Sequence, residues 1–218
     1  VVQDAFDSTS VGPTFGEQIA NSAITALIFS MLVICGYVAL RFEPKFAIPV
    51  LIAILHDILI TAGVYSLTGK EVSSGTVAAF LTILGYSIYD TIIVFDRIRE
   101  NVPRMPRAAF SQIVNRSMSE VLTRSLATSF TTLLGVLSLM VFGGPVLQDF
   151  AFAMLVGIAS GTYSSIFIAS PVLSAWKERE PGFVRRRLRI AELEGGVVPA
   201  YADDVQAAKL GRDDEAEA

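Results

Sequence analysis

Asp90 is the acidic group of this sequence best placed to do chemistry. It is the one formally charged residue between Gly75 and Phe95, a run long enough to cross a bilayer as a helix. A carboxyl in hydrocarbon costs a few kcal/mol at least unless it is paired or hydrated, so such a group marks a function by default. Helical spacing predicts that Thr82, Tyr86 and Tyr89 share its face. A second stripe, Arg124, Thr128, Thr131, Gly135 and Ser138, recurs at steps of three and four residues. If the two stripes face each other, Asp90 meets Arg124 or water held by the hydroxyls. A carboxyl poised between burial and a guanidinium can titrate near neutral pH, which is the chemistry of a proton relay. The alternative is a static polar contact that holds two helices together.

His56 and Asp57 interrupt another apolar run. Adjacent residues point about 100° apart on a helix, so both cannot face one partner squarely. Lining a pathway and capping a neighbouring helix are equally open for this pair. Asp96, Arg97 and Arg99 fall near a membrane boundary, where charges reach the interface along their stems, and an interfacial role is expected. Gly157 and Gly161 have the spacing of a close helix contact, and Pro171 predicts a kink near the end of its helix.

The elements that must position these groups follow from composition. Of 218 residues, 52% are hydrophobic and only 17% charged, below the ~25% charged of an ordinary soluble domain. Five runs concentrate the apolar residues: Ile19–Leu40, Phe46–Leu67, Gly75–Phe95, Val121–Phe142 and Phe150–Trp176. Each matches the roughly 20 residues needed to span hydrocarbon. The predicted class is therefore all-α, a polytopic membrane protein with five transmembrane helices over 19–176. A single Cys and a single His exclude a disulfide scaffold and Cys/His-rich metal sites. No metal and no cofactor are expected. A net charge of −4 argues against a general nucleic-acid binder.

Basic residues set the expected orientation. Arg41 and Lys45, then Arg97, Arg99, Arg104, Arg107 and Arg116, then Lys177, Arg179, Arg185, Arg186, Arg187 and Arg189 fall on one side of the five runs. Lys70 stands alone on the other. The positive-inside rule puts the first side in the cytoplasm, with the N-terminus of this chain outside and the C-terminus inside. Residues 1–18 then read as the extracytoplasmic exit from a larger upstream domain, with a turn at Val11-Gly12-Pro13. Between Pro103 and Val121, apolar residues at helical spacing predict an amphipathic interfacial helix over about 98–120. Residues 177–218 pass from basic to acidic and read as a cytoplasmic tail, partly disordered beyond about Gly195.

Enzyme signatures are absent. There is no Walker A sequence, no Gly-x-Ser-x-Gly elbow and no Gly-x-Gly-Asp motif to complete an intramembrane aspartyl site around Asp90. The residues carry a family resemblance instead. Gly85-Tyr86-Ser87-Ile88-Tyr89-Asp90-Thr91-Ile92-Ile93-Val94-Phe95-Asp96-Arg97-Ile98-Arg99-Glu100-Asn101 resembles the fourth transmembrane segment of the SecF family of protein-export membrane proteins. That family usually has Asn where this chain has Tyr89. Val11-Gly12-Pro13, His56-Asp57, and Asn115-Arg116-Ser117 leading to Leu122-Thr123-Arg124-Ser125 match as well. The resemblance covers about residues 10–180.

It implies segments two to six of a six-helix subunit whose first helix and periplasmic domain lie outside this chain. Such a subunit pairs with SecD in an assembly related to the resistance-nodulation-division exporters. In the bacterial plasma membrane the pair assists the SecYEG channel and the SecA ATPase, drawing on the proton gradient to move secreted polypeptides. The family's proton path includes an Asp and an Arg that map by motif to Asp90 and Arg124. His56, Asp57, Tyr86, Thr128 and Thr131 are the further candidates for that path or for packing. Two other classes stay open: half of a proton-coupled small-molecule or lipid exporter, and a purely structural assembly subunit.

Overall fold

The computed structural model describes residues 13–70, 72–193 and 196–202. Among them the chain is helical throughout its ordered elements: α1 (Pro13–Arg41), α2 (Pro44–Leu67), α3 (Ser74–Arg104), α4 (Phe110–Phe142), α5 (Gly144–Ser164), a π-helical turn (Ser165–Ala169), α6 (Ser170–Lys177) and α7 (Pro181–Leu193). Five spans are long and apolar enough to cross a membrane, with α5, the π-turn and α6 forming the fifth. The chain is thus an all-α, multi-pass membrane protein.

Local chemistry fixes the helix ends. Pro44 occupies the first turn of α2, where its missing N–H leaves no bond unmade. Ser73 and Thr76 form a reciprocal cap on α3: the Thr76 N–H donates to Ser73 Oγ at 3.3 Å, and the Ser73 N–H to Thr76 Oγ1 at 3.2 Å. Gly144 reverses the chain between α4 and α5 at φ +70°, a conformation that favours glycine.

α5 and α3 form the centre of the bundle. A Cβ on Gly157 would run into the Ile83 side chain, and one on Gly161 would come within 3.2 Å of Ser87 Cβ. The expected Gly157/Gly161 contact is therefore real, and α3 is what it packs against. Tyr65, Ala79, Ile83, Ala153, Met154 and Ile158 fill the core at one end. Val38, Phe46, Val50, Ile54, Phe95, Ile98, Phe110, Ile113 and Leu173 fill the other. α1 lies at the periphery and leaves Ile24, Ile28, Phe29, Leu32 and Val33 exposed, the composition of a lipid-facing helix.

Three expectations change. The interfacial helix over about 98–120 is not a separate element, because α3 continues to Arg104 and α4 begins at Phe110. Its apolar side chains, Phe110, Ile113 and Val114, are buried within the protein, and Phe183 of α7 packs edge-on to Phe110 at 4.9 Å. α1 begins at Pro13, six residues before the apolar run. Pro171 marks a break of a different kind from a simple kink. It cannot donate to the carbonyl four residues back, and the helix widens into the π-turn just before it. Ser170 Oγ supports the wide turn by donating to the Ser165 carbonyl at 2.9 Å.

The expected tail splits. α7 extends it to Leu193, and the Pro199 and Ala200 carbonyls accept from Gln112 and Asn115 on α4. Residues 194–195 and 203–218, like residues 1–12, lie outside the described residues.

Candidate functional site

Two aspartates lie inside the bundle, each held by hydroxyls. Asp57 on α2 is fully buried. Its Oδ2 accepts from Ser87 Oγ of α3 at 2.6 Å and Ser164 Oγ of α5 at 2.7 Å. Its Oδ1 accepts from Ser160 Oγ at 2.8 Å and lies 3.2 Å from His56 Nδ1. A carboxylate has about four accepting positions; here three take hydroxyls and His56 Nδ1 lies at the fourth. His56 and Asp57 diverge as the helix geometry requires, with His56 part-exposed, yet the imidazole folds back onto its neighbour's carboxylate.

Asp90 on α3 is 3% exposed. Its Oδ1 accepts from Ser125 Oγ of α4, and its Oδ2 from Ser165 Oγ of the π-turn at 2.6 Å. Protein groups thus fill two of its accepting positions. Neither aspartate forms an ion pair with Lys or Arg among the described residues. Such a buried carboxyl is held by hydrogen bonds alone, and its charge is the feature most costly to keep.

The close approach of α5 creates both cages. Gly157 and Gly161 let α5 settle against α3. That contact brings Ser160 and Ser164 to Asp57 and, one residue further, Ser165 to Asp90. A third polar node joins α4 and α5: Tyr86 Oη donates to Ser129 Oγ at 3.0 Å, and Thr162 Oγ1 donates to the same oxygen at 2.8 Å.

The candidate stripe on α4 points elsewhere. Arg124, Thr128, Thr131, Gly135 and Ser138 are all exposed. Thr128 Oγ1 bonds back to the Arg124 and Ser125 carbonyls, and Thr131 Oγ1 to those of Ala127 and Thr128. The neighbour of Arg124, Ser125, is the residue that reaches Asp90. On α3, Tyr86 points into the bundle, whereas Thr82 and Tyr89 are exposed. The structure therefore brings together Asp90, Asp57, His56 and, at a third node, Tyr86. It leaves Arg124, Thr128 and Thr131 on a bundle face. The serines at 87, 125, 129, 160, 164 and 165 escaped the sequence reading; the small-residue spacing Gly157, Ser160, Gly161, Ser164 was the available signal.

The two bundle ends are closed by ions. At one, Lys70 Nζ donates to Asp149 Oδ1 at 2.5 Å, and Tyr65 Oη to the Asp149 carbonyl at 2.6 Å. The hydrogen bond it donates to Asp149 holds the Lys70 ammonium above its usual 10.5. At the other, basic end, Lys177 pairs with Glu43 and with Glu180 at 3.3 Å, and Lys45 reaches Glu180 at 2.8 Å. Asp96 and Arg99 lie at this end too, Arg41 standing 3.9 Å from Asp96 and Arg99 donating to the Arg41 carbonyl. Arg97 and Asn101 both donate to Glu120 Oε2 across the α3–α4 extension, at 2.6 and 2.9 Å.

Apolar helices that enclose hydroxyl-caged carboxyls define a polytopic membrane protein equipped to hold ionisable groups at depth. The family model described as protein export membrane protein SecD/SecF, C-terminal, matches residues 3–179, and the chain belongs to that family. It is 46% identical to the protein translocase subunit SecF of Rhodothermus marinus over 83% of this chain and 60% of that one. It is 48% identical to the protein translocase subunit SecDF of Thermus thermophilus, over 79% of this chain and 23% of that one. The crystal structure of the Thermus SecDF superposes with a TM-score of 0.73, covering 78% of this chain and 24% of that one, at 48% identity. SecDF in its super-membrane-facing form gives 0.70 at 43% identity, covering 84% and 23%. The chain spans less than two thirds of the length of these relatives.

Proposed function

We propose that this chain is the membrane portion of an auxiliary subunit of the Sec translocase, which works with a SecD-like partner and draws on the proton gradient to promote export of polypeptides. Asp90 is the proton carrier and Arg124 its companion at the partner boundary. The observation that carries the reading is the setting of Asp90: buried in the middle of a spanning helix, held by two hydroxyls, without a cation, and half of its accepting positions unfilled by protein. A salt bridge locks a carboxyl in its charged form, and no such lock holds Asp90 among the described residues. The names of the relatives supply the translocase context, and the relative that fuses both subunits supplies the SecD-like partner.

The basic end, with Arg41, Arg99 and Lys177, faces the cytoplasm of the bacterial plasma membrane, and the Lys70 end faces outward. SecYEG and SecA are the further partners, and the chain itself catalyses no covalent chemistry. The test uses the full-length subunit with its partner. Asp90→Asn keeps the size and one accepting oxygen but cannot exchange a proton. It leaves assembly intact and abolishes the part of reporter secretion that depends on the gradient. Normal gradient-dependent secretion at matched protein levels would reduce Asp90 to a structural contact.

A further inference from the structure

Ser164 and Ser165 are consecutive residues that serve different carboxylates. Ser164 Oγ donates to Asp57 Oδ2 at 2.7 Å and Ser165 Oγ to Asp90 Oδ2 at 2.6 Å. Each hydroxyl also has a second acceptor in reach. The Gly161 carbonyl lies 3.2 Å from Ser164 Oγ, and the Thr162 carbonyl 3.1 Å from Ser165 Oγ. A serine carries one hydroxyl proton, so each can commit to the carboxylate or to its own backbone, not to both.

The carboxylates are joined a second way. Ser87, three residues before Asp90 on α3, donates to Asp57. Ser164 closes α5, and Ser165 opens the π-turn, a kind of turn found often at functional sites.

Asp57 has the properties of a proton site. It is wholly buried, and its four partners are three hydroxyls and an imidazole. The other charged groups of the packed helices lie toward helix ends: Glu17 and Arg41 on α1, the Asp96 to Arg104 stretch on α3, Asp149 early in α5 and paired with Lys70, and Lys177 at the end of α6 and paired with Glu43. The titratable groups nearer by are Asp90, Tyr86 and Tyr89 of α3, and Tyr163 of α5, whose ring centre is 6.3 Å from that of His56. Protonating Asp57 on Oδ2 puts a donor where two hydroxyls, those of Ser87 and Ser164, already converge. One hydroxyl must then turn away, and Ser164 has the Gly161 carbonyl waiting.

We propose that Asp57 is a second proton-binding carboxyl and that Ser164 and Ser165 couple its protonation to that of Asp90. Release of Ser164 toward Gly161 brings a second donor to the carbonyl that already accepts the Ser165 N–H, so the residue that serves Asp90 feels the change. The coupling runs equally in reverse. The inference rests on the reading of Asp90 as a proton carrier, and the test separates the two.

Infrared titration of the full-length subunit with its SecD-like partner reads protonated carboxyls directly. Two titrating bands are expected, one lost in Asp57→Asn and the other in Asp90→Asn. The proton affinity of Asp90 should change by about fivefold or more in Asp57→Asn, the lower edge of ordinary coupling between sites. Ser164→Ala leaves both carboxyls in place and should change it as well; this variant carries the test if Asp57→Asn does not fold. An Asp90 band that never titrates overturns the carrier reading and the coupling with it. An Asp90 band that titrates with the same affinity in either variant overturns the coupling alone, as does an Asp57 band that never titrates.

Discussion

Arg124 and Ser125 are neighbours separated by about 100° around a helix, and that angle divides their work: Ser125 holds Asp90 inside the bundle while Arg124 stays on its surface. A direct ion pair between Arg124 and Asp90 is thus not part of this structure, and the proposed function gives Arg124 a role at the partner boundary. Lys at position 124 keeps the charge but loses the planar fork. Arg124→Lys should retain an intermediate level of gradient-dependent secretion, and Arg124→Met should fall to the level of Asp90→Asn; equal loss in the two would show that charge alone is not what Arg124 supplies. Asp90 and Asp57 were legible because a charge inside an apolar run is conspicuous. Their serine partners were not. A serine in a helix interior commonly bonds its own backbone, as Ser117 does to the Ile113 carbonyl, so residue type alone does not say which serines turn toward a carboxylate.

Helix existence was legible and helix limits were not. Runs of about 20 apolar residues announce a span, but α3 and α4 continue past the apolar runs because Asn101, Ser117, Arg97 and Glu120 lock their polar ends together. The π-turn left only Pro171 as a trace. Two predictions belong here. Gly157→Val drives a side chain into Ile83, and overpacking of this kind costs about 1–3 kcal/mol. The melting temperature of the purified pair should drop, and Ile83→Ala added to it should recover part of the loss; no drop would mean that α3 and α5 are not in close contact. The second concerns the α6–α7 junction. Burial alone would raise the Glu180 carboxyl, but the hydrogen bond from Lys45 and the charge of Lys177 outweigh it and hold the group below its usual 4.5. A carboxyl lowered on folding adds stability above its unfolded pKa and loses it as pH falls through the folded value. A dye on Gly182→Cys, with Cys35 replaced, should report loosening with a midpoint below pH 4.5, and Glu180→Gln should abolish that acid transition. A transition on the alkaline side alone would contradict the sign.

At the scale of the whole molecule, the unsolved question posed by the sequence is what covers α4. Its exposed face carries Arg124, Thr128, Thr131, Gly135 and Ser138 in the same span as exposed Leu126, Phe130 and Leu134. Arg124 lies near the start of the Val121–Phe142 run, where its stem can reach the interface, but the polar stripe runs on from it through Thr131 to Ser138, deeper in the span. By contrast, the middle of α1 exposes Ile28, Phe29, Leu32 and Val33, and α2 exposes Leu59, as lipid contact demands. A partner that meets α4 and leaves α1 and Leu59 to lipid resolves the difference. Under the proposed function that partner is the SecD-like subunit. Photo-crosslinking side chains at Thr131 and Ser138 of the full-length subunit should therefore capture the SecD-like partner, whereas one at Leu59 should capture lipid. Cysteines near Lys70 and Gly144 should react with an impermeant reagent from outside, and one near Arg107 should not, which fixes the face that the partner must share. Crosslinks from Thr131 to lipid alone would leave the polar stripe bare in the bilayer and remove the partner from its place beside α4.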